Sequence, residues 1–264
     1  MTAALAFEGV TCTFAGQPPY TAVRDVSFQV APGEFVALVG PTGCGKSTLL
    51  NVAAGLMAPS SGTVRVAGEP LRGLNRRAGY MFQAECLMPW RSAAENVAAG
   101  LQFRGEHRED SLRRAGEWLS RVGLDGFADR YPHQLSGGMR KRVALAQTLI
   151  LDPAIVLMDE PFSALDVQTR QLMENELLEL WSRDRKSVVF ITHDLEEAIS
   201  LADRVVVLSA GPATRPIGEF PIDLPRPRDV AEVRLTRRFL ELHRQIWELL
   251  KAEVLKGHAQ QKRG

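Results

Sequence analysis

Residues Gly40 to Ser47 read G-P-T-G-C-G-K-S, directly after the apolar run F-V-A-L-V and directly before the helical pattern T-L-L-N-V-A-A. Glycines at this spacing let backbone N–H groups converge on an anion, and the helix that follows points its positive end at the same anion. Gly40, Pro41, Thr42, Gly43, Cys44, Gly45, Lys46, Ser47 and Thr48 are therefore the candidate cradle for a nucleotide polyphosphate. Lys46 neutralises β- and γ-phosphate charge there, and Ser47 offers its hydroxyl to Mg²⁺. A Gly-rich turn without ligand is the weaker reading, because both the strand before the motif and the helix after it match.

Two further groups could act on a phosphate held in that loop. The run I-V-L-M ends in Asp159-Glu160, and adjacent acids behind four buried apolar residues are expensive without a cation. Asp159 is placed to hold Mg²⁺ through its water shell. Glu160 is placed to orient, or take a proton from, the water attacking the terminal phosphate. At Leu135 the chain reads L-S-G-G-M-R-K-R-V-A-L-A-Q-T-L, which looks like a second anion-binding helix end: Ser136 as the cap, Gly137 and Gly138 exposing N–H groups. A second anion-binding helix end in a chain that already has one phosphate site is understandable if it serves the nucleotide of another subunit.

The elements that must position these residues follow from the apolar pattern. Before residue 35 it is short and turn-punctuated, as in antiparallel strands. F-V-A-L-V-G, A-I-V-L-M-D and S-V-V-F-I-T are continuously apolar, as expected of parallel strands buried on both faces. Polar or Gly-rich residues and then a helical pattern follow each, the rhythm of an α/β fold whose ligands sit at strand C-termini. The interval from about 84 to 152 carries helical stretches and reads as an inserted helical subdomain. Residues 1–220 are thus expected to form a nucleotide-binding domain. Residues 221–264 form an extension, opening on P-I-D-L-P-R-P-R-D and closing on an amphipathic helix with Phe239, Leu242, Ile246, Leu249 and Leu250 on one stripe. That stripe is expected to dock on the domain while Arg226, Arg228, Arg234, Arg237 and Arg238 face water, with contact to a membrane or a partner as the alternative.

Bulk properties narrow the class. In the 264 residues, 32 Lys+Arg stand against 31 Asp+Glu, so no net field draws the chain to nucleic acid or an anionic bilayer. Cys12, Cys44 and Cys86 are too far apart for metal-ligand pairs and odd in number; they read as small fillers in a reducing compartment. The N-terminus lacks the pattern of a signal peptide. No apolar run approaches the ~20 residues of a membrane helix.

The L-S-G-G segment resembles the signature of ATP-binding-cassette ATPases, and the remaining motifs fall in that family's order over residues 5 to 218. Gln83, after G-Y-M-F, resembles the glutamine that touches Mg²⁺ and the attacking water and joins the core to the helical subdomain. S-A-L-D at 163 to 166 is similar to the loop that crosses the cassette dimer interface. His193 resembles the histidine that donates to the γ-phosphate. Phe14 resembles the aromatic on which adenine stacks, with Tyr20 the competing ring. The resemblance implies an α/β P-loop NTPase core with a parallel sheet, an N-terminal antiparallel β layer and an inserted helical subdomain. It also implies ATP and Mg²⁺ as cofactors, a homodimer or pseudo-dimer of cassettes, and turnover by Glu160, His193 and Gln83. Two positions depart from it: Lys141 stands where glutamine is usual, and A-Q-T-L replaces A-R-A-L, so Gln147 lacks a cation.

Transport needs its own argument, since cassettes also serve DNA repair and ribosomes. This sequence has no coiled-coil insertion, zinc-ligand cysteines or second cassette. The segment A-E-C-L-M-P-W is similar to importer cassettes, in which it forms a groove for a helix of the membrane subunit. Leu87, Met88, Pro89 and Trp90 would then be an exposed apolar patch, unless Trp90 packs within the helical subdomain. L-M-P-W with L-P-R-P-R-D resembles importers of nitrate, taurine and alkanesulfonates. The resemblance implies integral membrane permease subunits as partners, an extracytoplasmic solute-binding protein indirectly, no nucleic acid, and a peripheral place on the cytoplasmic face of the cell membrane. A soluble cassette ATPase acting on nucleic acid or ribosomes is the alternative.

Overall fold

The computed structural model describes residues 2–261. The chain opens with β1 (Leu5–Phe14), β2 (Tyr20–Val30) and β3 (Phe35–Val39), then α1 (Lys46–Ala53), β4 (Ser61–Val66), β5 (Glu69–Pro70) and β6 (Ala78–Met81). Three helices follow, α2 (Ala93–Phe103), α3 (Arg108–Arg121) and α4 (Gly137–Leu149). Then come β7 (Ile155–Asp159), α5 (Val167–Asp184), β8 (Ser187–Thr192), α6 (Leu195–Leu201) and β9 (Arg204–Leu208). The chain closes with β10 (Pro216–Pro221), α7 (Val230–Val233) and α8 (Arg237–Gln261).

Two sheets result, in the orders β2-β1-β4-β5 and β10-β9-β3-β8-β7-β6. In the larger sheet β9, β3, β8, β7 and β6 run parallel, and β10 adds an antiparallel edge. Proline is tolerated at both ends of β10 because an edge strand leaves one side of its ladder free. The three apolar runs of the sequence are the central β3, β8 and β7, and their alternating residues feed two cores. Phe35, Ala37 and Val39 pack with the helices on one face, whereas Val36 and Leu38 pack against the antiparallel sheet on the other. The smaller sheet takes β4 and β5 from beyond α1, so the antiparallel layer is not confined to the first 35 residues. The β-rich S-G-T-V-R-V run carries that signal.

Helices α2, α3 and α4 pack on one another, and α4 also touches β6. Helix α2 starts at a reciprocal capping box between Ser92 and Glu95. Helix α8 lies against α6 and β9 and buries Phe239, Leu242, Ile246 and Leu250, each worth about 1.5–3 kcal/mol. Of the five arginines expected to face water, only Arg237 and Arg238 do so. Arg228 is buried and donates to five carbonyls, those of Ile199, Ser200, Ala202, Ile222 and Leu224. Arg226 pairs with Asp203 and lies over Trp181, and Arg234 pairs with the buried Glu174. Carbonyls at the C-terminal end of α6 and in the proline-bearing loop need donors, and the guanidinium forks supply them. Cys12 and Cys44 are buried fillers, but Cys86 is exposed on a left-handed turn. Among the described residues no helix is long and apolar enough to cross a membrane.

Candidate active site

The candidate phosphate loop joins the C-terminal end of β3 to α1. Its last turn needs Gly45: φ is 103°, and a Cβ there would lie 2.8 Å from Cγ1 of Val23. Lys46 is buried, and its ammonium donates to the carbonyls of Gly40 and Pro41 at 2.9 and 3.1 Å. Cys44 fills the space under the loop, so Thr42, Gly43 and Ser47 form the exposed rim.

The end of β7 faces this rim. Ser47 Oγ donates to Asp159 Oδ1 at 3.0 Å, which brings two hard oxygen donors together at the head of α1. That donor set suits Mg²⁺, which takes few protein oxygens and keeps several waters. Burial pushes the Asp159 carboxyl up, and Glu160 adds to the shift against the Ser47 hydrogen bond. A dication would relieve both effects. Beneath, Tyr80 hydrogen-bonds Asn51 at 3.2 Å, and burial and Asp159 raise its hydroxyl well above the tyrosine range.

Glu160 follows in a left-handed conformation with φ 44°, a strain of roughly 1–2 kcal/mol for a residue bearing a Cβ. The turn is held by the Glu160 amide donating to Ile191 and by the Ser163 hydroxyl donating to the Glu160 carbonyl. It leads the carboxylate out of the strand and across to the end of β8, where Oε2 lies 2.9 Å from His193 Nδ1. Lys46, Ser47, Asp159, Glu160 and His193 thus gather at neighbouring strand ends, β3, β7 and β8.

Gln83 lies beyond β6 and is exposed; its backbone carbonyl accepts from the buried Lys141 ammonium of α4. Burial pulls the Lys141 ammonium down, with Glu85 opposing. Ser136 caps α4, accepting from the Met139 amide at 3.2 Å, so Gly137 and Gly138 open the helix. Ser136 shares no hydrogen bond with the phosphate loop among the described residues. Instead Gly138 abuts Thr169, where a Cβ would come within 2.8 Å of the threonine methyl. Phe14 and Tyr20 pair across the β1–β2 hairpin, 43% and 46% exposed. The two candidate rings therefore share one face, and Tyr20 reaches toward Gly211 beside the phosphate loop.

A polar network behind β8 escaped the sequence reading. Arg170 donates to the Leu165 carbonyl at 3.1 Å and to Asp194 at 3.2 Å, and lies 3.6 Å from Glu197. Glu197 in turn accepts from Thr192 at 2.5 Å. Arg170 so binds the S-A-L-D segment to the residues flanking His193. Glu174 lies deeper, fully buried against Arg234 at 3.0 Å, and desolvation raises its carboxyl to about 7. The available signal was an acid on the apolar face of α5, one turn before Leu177 and Leu178.

Trp90 is 72% exposed and does not pack within the helical layer. Nearby, Phe82, Met88, Phe103, Gln147 and Leu151 line a groove of about 310 Å³ between β6, α2 and α4. Gln147 faces this groove with no ion pair.

A family model described as ABC transporter matches residues 23–163. An ABC transporter ATP-binding protein of Methanocaldococcus jannaschii is 48% identical over 89% of this chain and 86% of its own length. The taurine import ATP-binding protein of Yersinia pestis is 45% identical, covering 78% of this chain and 79% of that protein. The aliphatic sulfonates import ATP-binding protein of Bacillus cereus is 40% identical over 79% and 82%. Among solved structures, a dimeric post-hydrolysis ATP-binding cassette bound to ADP and Pi superposes with a TM-score of 0.75 at 33% identity. It covers 84% of this chain and 100% of its own.

Proposed function

This chain belongs to the ABC transporter family and is an ATP-binding, ATP-hydrolysing cassette, and we propose that it energises import of a small solute such as nitrate, taurine or a sulfonate through membrane permease subunits. Two such chains pair head to tail on the cytoplasmic face of the membrane, serving an extracytoplasmic solute-binding protein at one remove. Taurine and aliphatic sulfonates are the substrates named for two relatives.

The observation that carries the catalytic reading is the pair of contacts at neighbouring strand ends, Ser47 to Asp159 and Glu160 to His193. Gly40 to Thr48 wrap the phosphates with backbone N–H groups, and Lys46 exchanges its carbonyl acceptors for phosphate oxygens. Ser47, Asp159 and Gln83 would hold Mg²⁺, which would supply charge neutralisation for the phosphate being cleaved. Glu160 orients the attacking water and accepts its proton; His193 holds the carboxylate in register and donates to the γ-phosphate. Phe14 stacks on adenine, with Tyr20, its cross-strand partner beside the phosphate loop, as the competing ring. Ser136, Gly137 and Gly138 serve the partner chain's nucleotide; in its own chain Ser136 caps α4 and shares no hydrogen bond with the phosphate loop among the described residues.

Residues 1–220 are the cassette, 84–152 its helical subdomain and 221–264 an extension clamped by Arg228. Trp90 and the groove beside it receive a helix of the permease, an apolar surface of the kind that marks protein contacts.

The test is to isolate the chain with its membrane partners, reconstitute them in vesicles and add the cognate solute receptor. Nitrate, taurine or an alkanesulfonate should accumulate with ATP hydrolysis. Hydrolysis stimulated by nucleic acid or ribosomes, and indifferent to the membrane partner, would contradict the proposal.

A further inference from the structure

Lys141 has a place in the fold that its chemistry makes costly. Its side chain is 1% exposed, yet it carries an ammonium, and no carboxylate lies within ion-pair distance of it among the described residues. Its hydrogen-bond acceptor is the backbone carbonyl of Gln83, 58 residues earlier in the chain. A methionine or leucine would fill the same volume of α4 without the desolvation cost of a buried charge. What the ammonium supplies and an apolar side chain cannot is a fixed direction for the Gln83 peptide. The neighbouring Arg140 reinforces the same connection: it donates to the Leu135 carbonyl at 2.8 Å, and its Nε lies 3.8 Å from Glu85. The irregular segment after β6 is therefore held by α4 from two successive residues.

The position of α4 gives that link a consequence. Lys141 lies little more than one turn from Ser136, the cap of the helix. Gln83 and the Ser136–Gly138 helix end cannot shift relative to one another without breaking the Lys141 bond. We propose that in this chain Lys141 is the positioning residue that carries the link between Gln83 and the helical subdomain, holding the Gln83 peptide against the N-terminal turns of α4. This rests on the assignment above of Gln83 to its own chain's nucleotide.

The test is a double-mutant cycle on ATP hydrolysis by the full-length dimer, with ATP affinity and melting temperature measured for every variant. Lys141→Met keeps the volume and removes the donor. It should lower kcat about tenfold with KM within twofold of wild type, and adding Gln83→Ala should lower kcat little further than Gln83→Ala alone. Lys141→Gln keeps an N–H donor without the charge and should retain most of kcat; it also carries the test if the methionine variant does not fold. Gln83→Ala slow but Lys141→Met at the wild-type rate, losses that multiply in the double variant, or a Lys141→Gln as slow as Gln83→Ala would each overturn the link alone. Gln83→Ala at the wild-type rate would remove the assignment of Gln83 itself, and the link with it.

Discussion

The Nδ1 atom of His193 lies 2.9 Å from Oε2 of Glu160, a contact between the C-terminal ends of β8 and β7. Glu160 leaves β7 with a left-handed φ of 44°, and His193 leaves its strand at Thr192, whose hydroxyl is tied to Glu197. The contact occupies Nδ1 and leaves Nε2 outside it, so the carboxylate fixes the imidazole orientation. Two candidate catalytic groups are thereby set by a single hydrogen bond.

Glu160→Gln follows from that contact. The amide keeps the volume and can still bond His193, but it cannot accept a proton from water. ATP affinity should stay within about threefold of wild type, while hydrolysis falls on the order of 10²- to 10³-fold and an ATP-bound dimer accumulates. Ordinary turnover, followed by phosphate release, would remove Glu160 from the mechanism.

Glu174 predicts a pH effect on stability. Desolvation raises its folded carboxyl to about 7, against the influence of Arg234 and Arg170 and with Asp194 and Glu197 adding to the shift. A carboxyl whose folded pKa exceeds the unfolded 4.5 binds more protons when folded. Its contribution is fully present below about 4.5 and is lost as pH rises toward 7. Glu174→Gln removes that loss, so its melting temperature relative to wild type should climb between pH 5 and pH 8. A difference independent of pH would show that Glu174 titrates normally.

Trp90→Ala should weaken association with the permease by tenfold or more, as for an exposed aromatic anchor on the order of 2 kcal/mol. The melting temperature and ATP affinity of the free chain should not change, since the indole is 72% exposed. Co-purification from detergent extracts measures the first and calorimetry the second. A stability loss with association intact would assign Trp90 to packing.

Much of this site was legible because its residues obey local rules. The phosphate loop announces itself by glycines between a buried strand and a helix, and Ser136 by its position as a cap; both depend on contacts within a few residues. The fold class was legible for the same reason, since β3, β7 and β8 are buried on both faces and read as unbroken apolar runs. What escaped depends on long-range pairing. The inward turn of Arg228 arises from carbonyls up to 29 residues away, and Arg170 meets Asp194 across 24 residues. An arginine run written beside prolines looks solvated until the carbonyls that need it are placed. The exposure of Cys86 was likewise invisible, because it follows from a left-handed turn in a segment without regular structure.

The central claim is that each nucleotide site is built from the phosphate loop of one chain and the Ser136 helix end of the other. It is tested most directly with mixed dimers. One pairs a Lys46→Ala chain with a Ser136→Arg chain; the other pairs a chain carrying both substitutions with wild type. Nucleotide occupancy is measured beside turnover, because coupling between sites can depress the rate of an intact one. The shared-site account predicts that the split pair concentrates both defects in one site and keeps one intact site per dimer, whereas the doubly substituted chain damages both sites. An intact site in the dimer of doubly substituted and wild-type chains, and none in the split pair, would contradict it.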